Sequence, residues 1–269
     1  MKLFSTLLHF CLWHSNYAQV QLPRSKNAFV VIAHRGDHTA APENTIKAFR
    51  NAIKNHADYI EIDLRTTKDS QLVIMHDENL FRMTGINESI SNLTLDSLKK
   101  IYIFDKNHPE YGRHHIPTLA EILKLCKGRA NIYLDFKNAS VQKTYETIYS
   151  LKMDHSVIVY INSPSQFKLW RIIAPSMPLM ISLPSHIKDK EALKLFIETH
   201  HPDLLDGNYE SYSASMVEAA AESNIKIWPD IQSTQEEKNW GKAIRMNFSG
   251  LQTDHPLALI RFLKRNKLR

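Results

Sequence analysis

YIEIDLR (59–65) and NIYLDFKN (131–138) decide the fold. In each, apolar and polar residues alternate, as they do on a strand whose successive side chains point to opposite faces. Ile60, Ile62 and Leu64 share one face of the first, with Glu61, Asp63 and Arg65 on the other. In the second, Leu134 and Phe136 oppose Asp135 and Lys137. Apolar side chains turned toward covering helices, with carboxylates entering the lumen near its mouth, is the arrangement an α/β barrel requires. Working outward, further strands are expected at 29–34, 156–161, 178–183, 203–208, 225–231 and 250–253. Helices are expected at 43–56, 94–101, 118–127, 140–152, 164–174, 188–200, 214–223, 234–246 and 256–266. Ser163-Pro164, Ser213 and Ser233-Thr234 supply helix start signals.

Eight strands alternating with helices predict a parallel sheet, and the count predicts an α/β fold of the TIM-type (β/α)8 barrel class. A doubly wound open sheet is the runner-up, weakened because no Gly-rich turn follows the first strand. Residues 66–117 exceed what one βα unit needs, so an insertion after the second strand is expected over about 77–116, shaping the substrate pocket. No Pro- or Gly-rich linker divides the chain, and one barrel domain is expected over 25–269.

The chain has 269 residues, 43% hydrophobic and 23% charged, an ordinary globular balance. Its net charge of +6 is concentrated in IRFLKRNKLR (260–269), which reads as a solvated basic helix. Without interleaved aromatics this does not describe a nucleic-acid groove. At the N-terminus, Met1-Lys2, an apolar run from Leu3 to Trp13 and a cleavage point at Ala18-Gln19 read as a signal peptide over 1–18. A disordered leader is the alternative reading. The run is too short to span a bilayer, so a secreted or periplasmic protein without stable membrane insertion is expected. Cys126, in the helical pattern LAEILKLC, is expected to be a buried core thiol.

Two inward carboxylates about 7 Å apart along a strand are costly unless something positive lies between them. A hard divalent cation with oxygen ligands, Mg²⁺ or Ca²⁺, answers that need for Glu61 and Asp63, and Asp135 can complete the site. The plainer alternative is a salt bridge to Arg or Lys. His34-Arg35 closes the first strand and His76-Asp77 ends a second apolar run, QLVIM. Histidines suit proton transfer near neutral pH, while Arg35 and Lys137 suit phosphate oxygens. Two bases, a cation site and two fixed positive charges fit the cutting of a phosphodiester.

These residues carry a family resemblance. His34-Arg35-Gly36, Pro42-Glu43-Asn44-Thr45, Glu61/Asp63, His76-Asp77 and Leu80-Phe81-Arg82-Met83-Thr84-Gly85 resemble the motifs of the glycerophosphodiester phosphodiesterases. Ile116-Pro117-Thr118-Leu119 and Gly250-Leu251-Gln252-Thr253-Asp254-His255-Pro256 extend the likeness across the chain. The resemblance implies a TIM-type barrel, one divalent cation, and hydrolysis of small-molecule glycerophosphodiesters to glycerol 3-phosphate and an alcohol. It implies Glu61, Asp63 and Asp135 as metal ligands, His34 and His76 as the acid/base pair, and Arg35 and Lys137 on the phosphate.

The chain departs from the family at three places. Asp135 stands where Glu is usual, Trp228-Pro229-Asp230 replaces a Trp-Thr-Val/Asn run, and YINSPSQF lacks the usual Ser-Phe pair. Trp228 either lines the pocket or belongs to the core. Glu43 and Asn44 read as capping residues, Asp254 as closing the barrel rim, and His108, His114 and His115 as solvated loop residues. Two alternatives stay open: the same scaffold acting on lysophospholipid or inositol-linked head groups, and a non-catalytic binding barrel.

Overall fold

Eight short parallel strands form the framework of the computed structural model, which describes residues 20–233 and 235–269. The expected signal peptide and its cleavage point lie outside the described residues. In chain order the elements are β1 (Val30–Ala33), α1 (Ile46–Lys54), β2 (Tyr59–Thr66), β3 (Leu72–Ile74), α2 (Phe81–Thr84), α3 (Leu95–Leu98), β4 (Tyr102–Ile103), β5 (His114–His115) and α4 (Leu119–Cys126). There follow β6 (Asn131–Asn138), α5 (Val141–Ser150), β7 (Val157–Ile161), α6 (Pro164–Ile173), β8 (Leu179–Ser182) and α7 (Lys190–His200). The chain closes with β9 (Leu204–Asp206), α8 (Ala214–Glu222), β10 (Lys226–Ile227), α9 (Glu236–Arg245), β11 (Gly250–Thr253) and α10 (Pro256–Arg265).

The spatial order β10-β9-β8-β7-β6-β2-β1-β11 is that of a (β/α)8 barrel, with closure between the seventh and eighth barrel strands. Closure runs through Asp230, which bridges Asn208 on one side and Gln252 on the other. The seventh strand, expected over 225–231, is reduced to Lys226–Ile227 as a regular element. Pro229 has no N–H to give a ladder, yet its carbonyl accepts from Gln252 N at 3.0 Å, and Ile231 N reaches Gln252 O at 3.1 Å.

Side-chain alternation builds two apolar layers. Ile60, Ile62 and Leu64 pack outward with Phe49 of α1, Ile122 and Leu123 of α4, and Leu134 and Phe136 of β6. Cys126 is fully buried in the same layer. The lumen is filled by Val30, Ile32, Tyr59, Tyr133, Ile158, Met180, Leu204 and Trp228. Each fully buried aliphatic of this kind is worth about 1.5–3 kcal/mol. That layer is the floor on which the polar side chains at the strand ends stand. Trp228 fits because position 250 is glycine: a Cβ there would lie 2.9 Å from both Trp228 Cδ1 and Val30 O.

Most helices begin as the sequence indicates, with Ser163 capping α6 and Ser213 capping α8 through side-chain oxygens. At α9 the expected start fails: Gln235 is the N-cap and makes no side-chain capping bond. The helix expected over 94–101 is a single turn, Leu95–Leu98. A further difference lies in QLVIM, which turns back to pair antiparallel with β2 as β3. The departure from barrel geometry therefore begins with this hairpin, and the stretch to Ile116 has a small core of its own containing Met75, Leu80, Met83, Ile90, Leu98 and Ile103.

Candidate active site

Strand ends β1, β2, β6, β7, β9 and β11, with the loop after β3, surround one polar cavity of about 180 Å³. His34, Arg35, Glu61, Asp63, His76, Asp135 and Lys137 all line it. The sequence-selected residues, spread over more than a hundred positions, thus share one cavity. Trp228 is the exception: it lies beneath, 2% exposed, packed on Tyr59 with ring centroids 4.9 Å apart. Of its two readings, the core one is correct. His108 and His115 are exposed and His114 bonds the Tyr111 carbonyl, none of them in the cavity wall.

The turn after β1 shows why His-Arg-Gly takes its form. Arg35 adopts a left-handed backbone, φ 52°, which aims its N–H at Glu61 Oε2, 2.7 Å away. Gly36 follows at φ 85°, where a Cβ would lie 2.9 Å from the Ala48 carbonyl carbon and Phe49. Asn44 N donates to the Arg35 carbonyl, and Asn44 Nδ2 donates to Asp63 Oδ2 at 2.7 Å. Capping of α1 falls to Thr45. Glu43 and Asn44 therefore belong to the polar network, Glu43 accepting from both Arg35 and Arg82.

Asp63 and Asp135 sit opposite each other in the β2–β6 register. With Glu61 they bring carboxylate oxygens within 4.8 Å of one another. Burial, then the neighbouring Asp63 and Asp135, pushes the Glu61 carboxyl well above the usual range. Asp135 is raised by burial and Asp63. Lys137 pairs with Asp135 and stands 3.2 Å from Asp63 Oδ1, and Arg35 Nε stands 3.6 Å from Asp63 Oδ2. Burial lowers both cations' affinity for protons, but the surrounding carboxylates reverse this and raise it. Three converging oxygens, strained by mutual repulsion, are the donor set a hard divalent cation takes. Arg35 Nε is a buried donor with no hydrogen-bond acceptor, which suits an anion arriving in the cavity.

Each histidine is backed by a carboxylate at Nδ1. His34 meets Asp254 Oδ1 at 2.6 Å, and His76 meets Asp77 Oδ1 at 2.6 Å. Asp254 also engages His38 Nε2 at 3.1 Å, and Asp77 accepts from Arg82 Nε at 2.5 Å. Burial raises both carboxyls, but the bonds from His34 and His38 carry Asp254 far below the usual range. Arg82 and His76 bring Asp77 to about 2. The His76 carbonyl is clamped by Arg65 Nε and Nη2 at 2.8 and 2.6 Å. Asp254, read from the sequence as a rim residue, is thus the partner of His34. Also missed were Asn162, whose Nδ2 donates to Asp135 Oδ1 at 2.7 Å, and Asp206 and Gln252 in the cavity wall, where Asp230, the added carboxylate that the Trp228-Pro229-Asp230 departure puts near the mouth, stands as well.

A buried carboxylate cluster with two fixed cations and two carboxylate-backed histidines, at the C-terminal ends of barrel strands, defines a hydrolase site for an anionic ester. A family profile described as the glycerophosphoryl diester phosphodiesterase family matches residues 34–258. The chain belongs to that family and is an enzyme of that class. It is 27% identical over 245 residues to a glycerophosphodiester phosphodiesterase of Caldanaerobacter subterraneus subsp. tengcongensis, covering 88% of this chain and 98% of the relative. Among solved structures it resembles a glycerophosphodiester phosphodiesterase from Agrobacterium tumefaciens, with a TM-score of 0.76, 23% identity and coverage of 86% of this chain and 99% of that one. An Oleispira antarctica phosphodiesterase in complex with the product sn-glycerol-3-phosphate matches with a TM-score of 0.76, 19% identity and coverage of 87% and 96%.

Proposed function

We propose that this chain hydrolyses glycerophosphodiesters to glycerol 3-phosphate and an alcohol, with one divalent cation, Mg²⁺ or Ca²⁺, held by Glu61, Asp63 and Asp135. The observation that carries the reading is the meeting, in one cavity, of those carboxylates with Arg35, Lys137 and two histidines each backed by a carboxylate. The bound cation would supply Lewis-acid stabilisation of the phosphate charge. Arg35, whose buried Nε has no hydrogen-bond acceptor, and Lys137 grip the phosphate oxygens. With Nδ1 engaged by Asp254 or Asp77, each imidazole has Nε2 as its working nitrogen. One takes a proton from the attacking oxygen while the other protonates the departing alkoxide, so the elements of water are added across one P–O bond.

The sequence pattern of residues 1–18, read as a signal peptide, supports a secreted or periplasmic enzyme with a small-molecule substrate and no nucleic-acid partner. No helix among the described residues is long and apolar enough to cross a membrane. The test is release of glycerol 3-phosphate from glycerophosphocholine with Mg²⁺, with Ca²⁺ and with chelator, alongside His34→Ala and His76→Ala. Metal-dependent release, lost in both variants, is the expected result. No release with either metal from folded protein would overturn the reading.

A further inference from the structure

The cavity has a second half, chemically unlike the first. Around Glu61, Asp63 and Asp135, the cations Arg35 and Lys137 make ion pairs. Across the lumen stand Asp206, at the end of β9, and Asp230, at the closure point of the barrel, and neither is engaged in any of the ion pairs among the described residues. Asp206 is 2% exposed; its Oδ2 accepts from Tyr133 Oη at 2.6 Å, while its Oδ1 has no hydrogen-bond partner. Gln252, 6% exposed, donates through Nε2 to Asp230, and its own Oε1 is likewise a buried acceptor without a donor. All three side chains line the cavity, as do the rings of Tyr133 and Tyr160.

A buried carboxylate, Asp206, beside a half-buried one, Asp230, with no cation between them is an unfavourable arrangement. A buried acceptor without a donor adds a further cost, and here there are two. A hydroxyl would satisfy the acceptors and leave the charges unbalanced. A quaternary ammonium would balance charge but bring no N–H. A primary ammonium does both.

We infer that Asp206, Asp230 and Gln252 form a subsite for the protonated amine of the substrate's alcohol, so that glycerophosphodiesters of primary amino alcohols, of the ethanolamine type, are the preferred class. The inference rests on the diesterase activity proposed above. Charge balance would be made within the bound complex, the phosphate at Arg35 and Lys137 and the amine at Asp206 and Asp230.

The test combines binding and turnover on the full chain. Free ethanolamine is titrated by NMR against wild type, Asp206→Asn and Asp230→Asn, with glycerol as the neutral control. In parallel, kcat/KM is measured for glycerophosphoethanolamine, glycerophosphocholine and glycerophosphoglycerol. Wild type should bind ethanolamine and not glycerol, and should favour the ethanolamine diester. Each variant should lose ethanolamine binding, and its kcat/KM should fall at least tenfold more for the ethanolamine diester than for glycerophosphoglycerol. Thermal melts confirm folding, and if Asp206→Asn does not fold, the Asp230→Asn comparison decides. Equal losses on all diesters would assign the pair to the common glycerol arm and overturn the inference, as would variants with unchanged selectivity. If wild type cleaves none of the three diesters, the diesterase reading fails, and the ethanolamine titration alone upholds or overturns the subsite.

Discussion

The two histidine–carboxylate pairs are alike in distance and unlike in support. His34 and Asp254 stand at the ends of adjacent barrel strands, β1 and β11, which are paired from Val30–Gly250 to Ala33–Thr253. Behind Asp254, Glu236 accepts from the backbone N–H groups of Asp254 and His255 and from Thr253 Oγ1. His76 and Asp77 follow the hairpin strand β3, and their position depends on side chains: Arg65 clamps the His76 carbonyl and Arg82 holds Asp77. Exposure follows the same division, 20% for the His34 side chain against 34% for His76. One histidine is thus fixed by backbone ladders and the other by guanidinium struts. The general lesson is that a barrel strand positions a side chain within its own hydrogen-bond network, whereas a loop residue must borrow that rigidity.

This contrast can be broken by mutation. The largest effect should come from Asp254→Asn, which removes the charge behind His34 and leaves the barrel rim intact. A loss of kcat on the order of 10²–10³-fold is expected from the weight of a positioned proton-transfer group, with KM little changed. Steady-state kinetics on a saturating diester would check it, and a change confined to KM would deny Asp254 its role. Arg82→Ala should cost less, roughly 10-fold in kcat/KM, because it loosens Asp77 without removing any group that meets substrate. Its effect should exceed that of Arg82→Lys clearly if charge alone matters, and only modestly if the planar fork to Glu43 and Asp77 matters. Equal kinetics for wild type and Arg82→Ala would show that the loop histidine needs no strut.

The smallest effect expected is one of stability. Burial works against a charged His38, but its bond to Asp254 outweighs this and raises its pKa above the ordinary value. A raised histidine contributes stability that is complete below the unfolded value, near 6.5, and is lost as pH rises through the folded value. His38→Asn should therefore destabilise the protein by about 1 kcal/mol at pH 5.5, and by less at pH 9. Urea unfolding at the two pH values measures it. A penalty independent of pH would show that His38 contributes packing and not charge.

How much of this was legible in the sequence depends on whether the signal was periodic. Glu61, Asp63, Asp135 and Lys137 were readable because a strand alternates its faces, and the β2–β6 register then brings Asp63 opposite Asp135. His34 and His76 were readable as polar ends of apolar runs. Asp254 was not, because its partner His34 lies 220 residues away and only closure of the barrel joins them. Asp206 was hidden in a strand of three residues, whereas Asp230 was readable as an added carboxylate near the mouth because it follows Trp228-Pro229 at the end of a strand. β3 was hidden because three apolar residues do not announce whether they continue a barrel or fold back on it.

The most direct test of the account is single-turnover cleavage of a glycerophosphodiester whose leaving group is p-nitrophenol, compared with the natural alcohol diester, in His34→Ala and His76→Ala. A good leaving group needs no proton donor, so the variant lacking the acid should regain most of its rate on this substrate. The variant lacking the base should stay slow on both. The account predicts that one of the two histidines is rescued and the other is not. Rescue of both, or of neither, would contradict the division of proton transfer between His34 and His76.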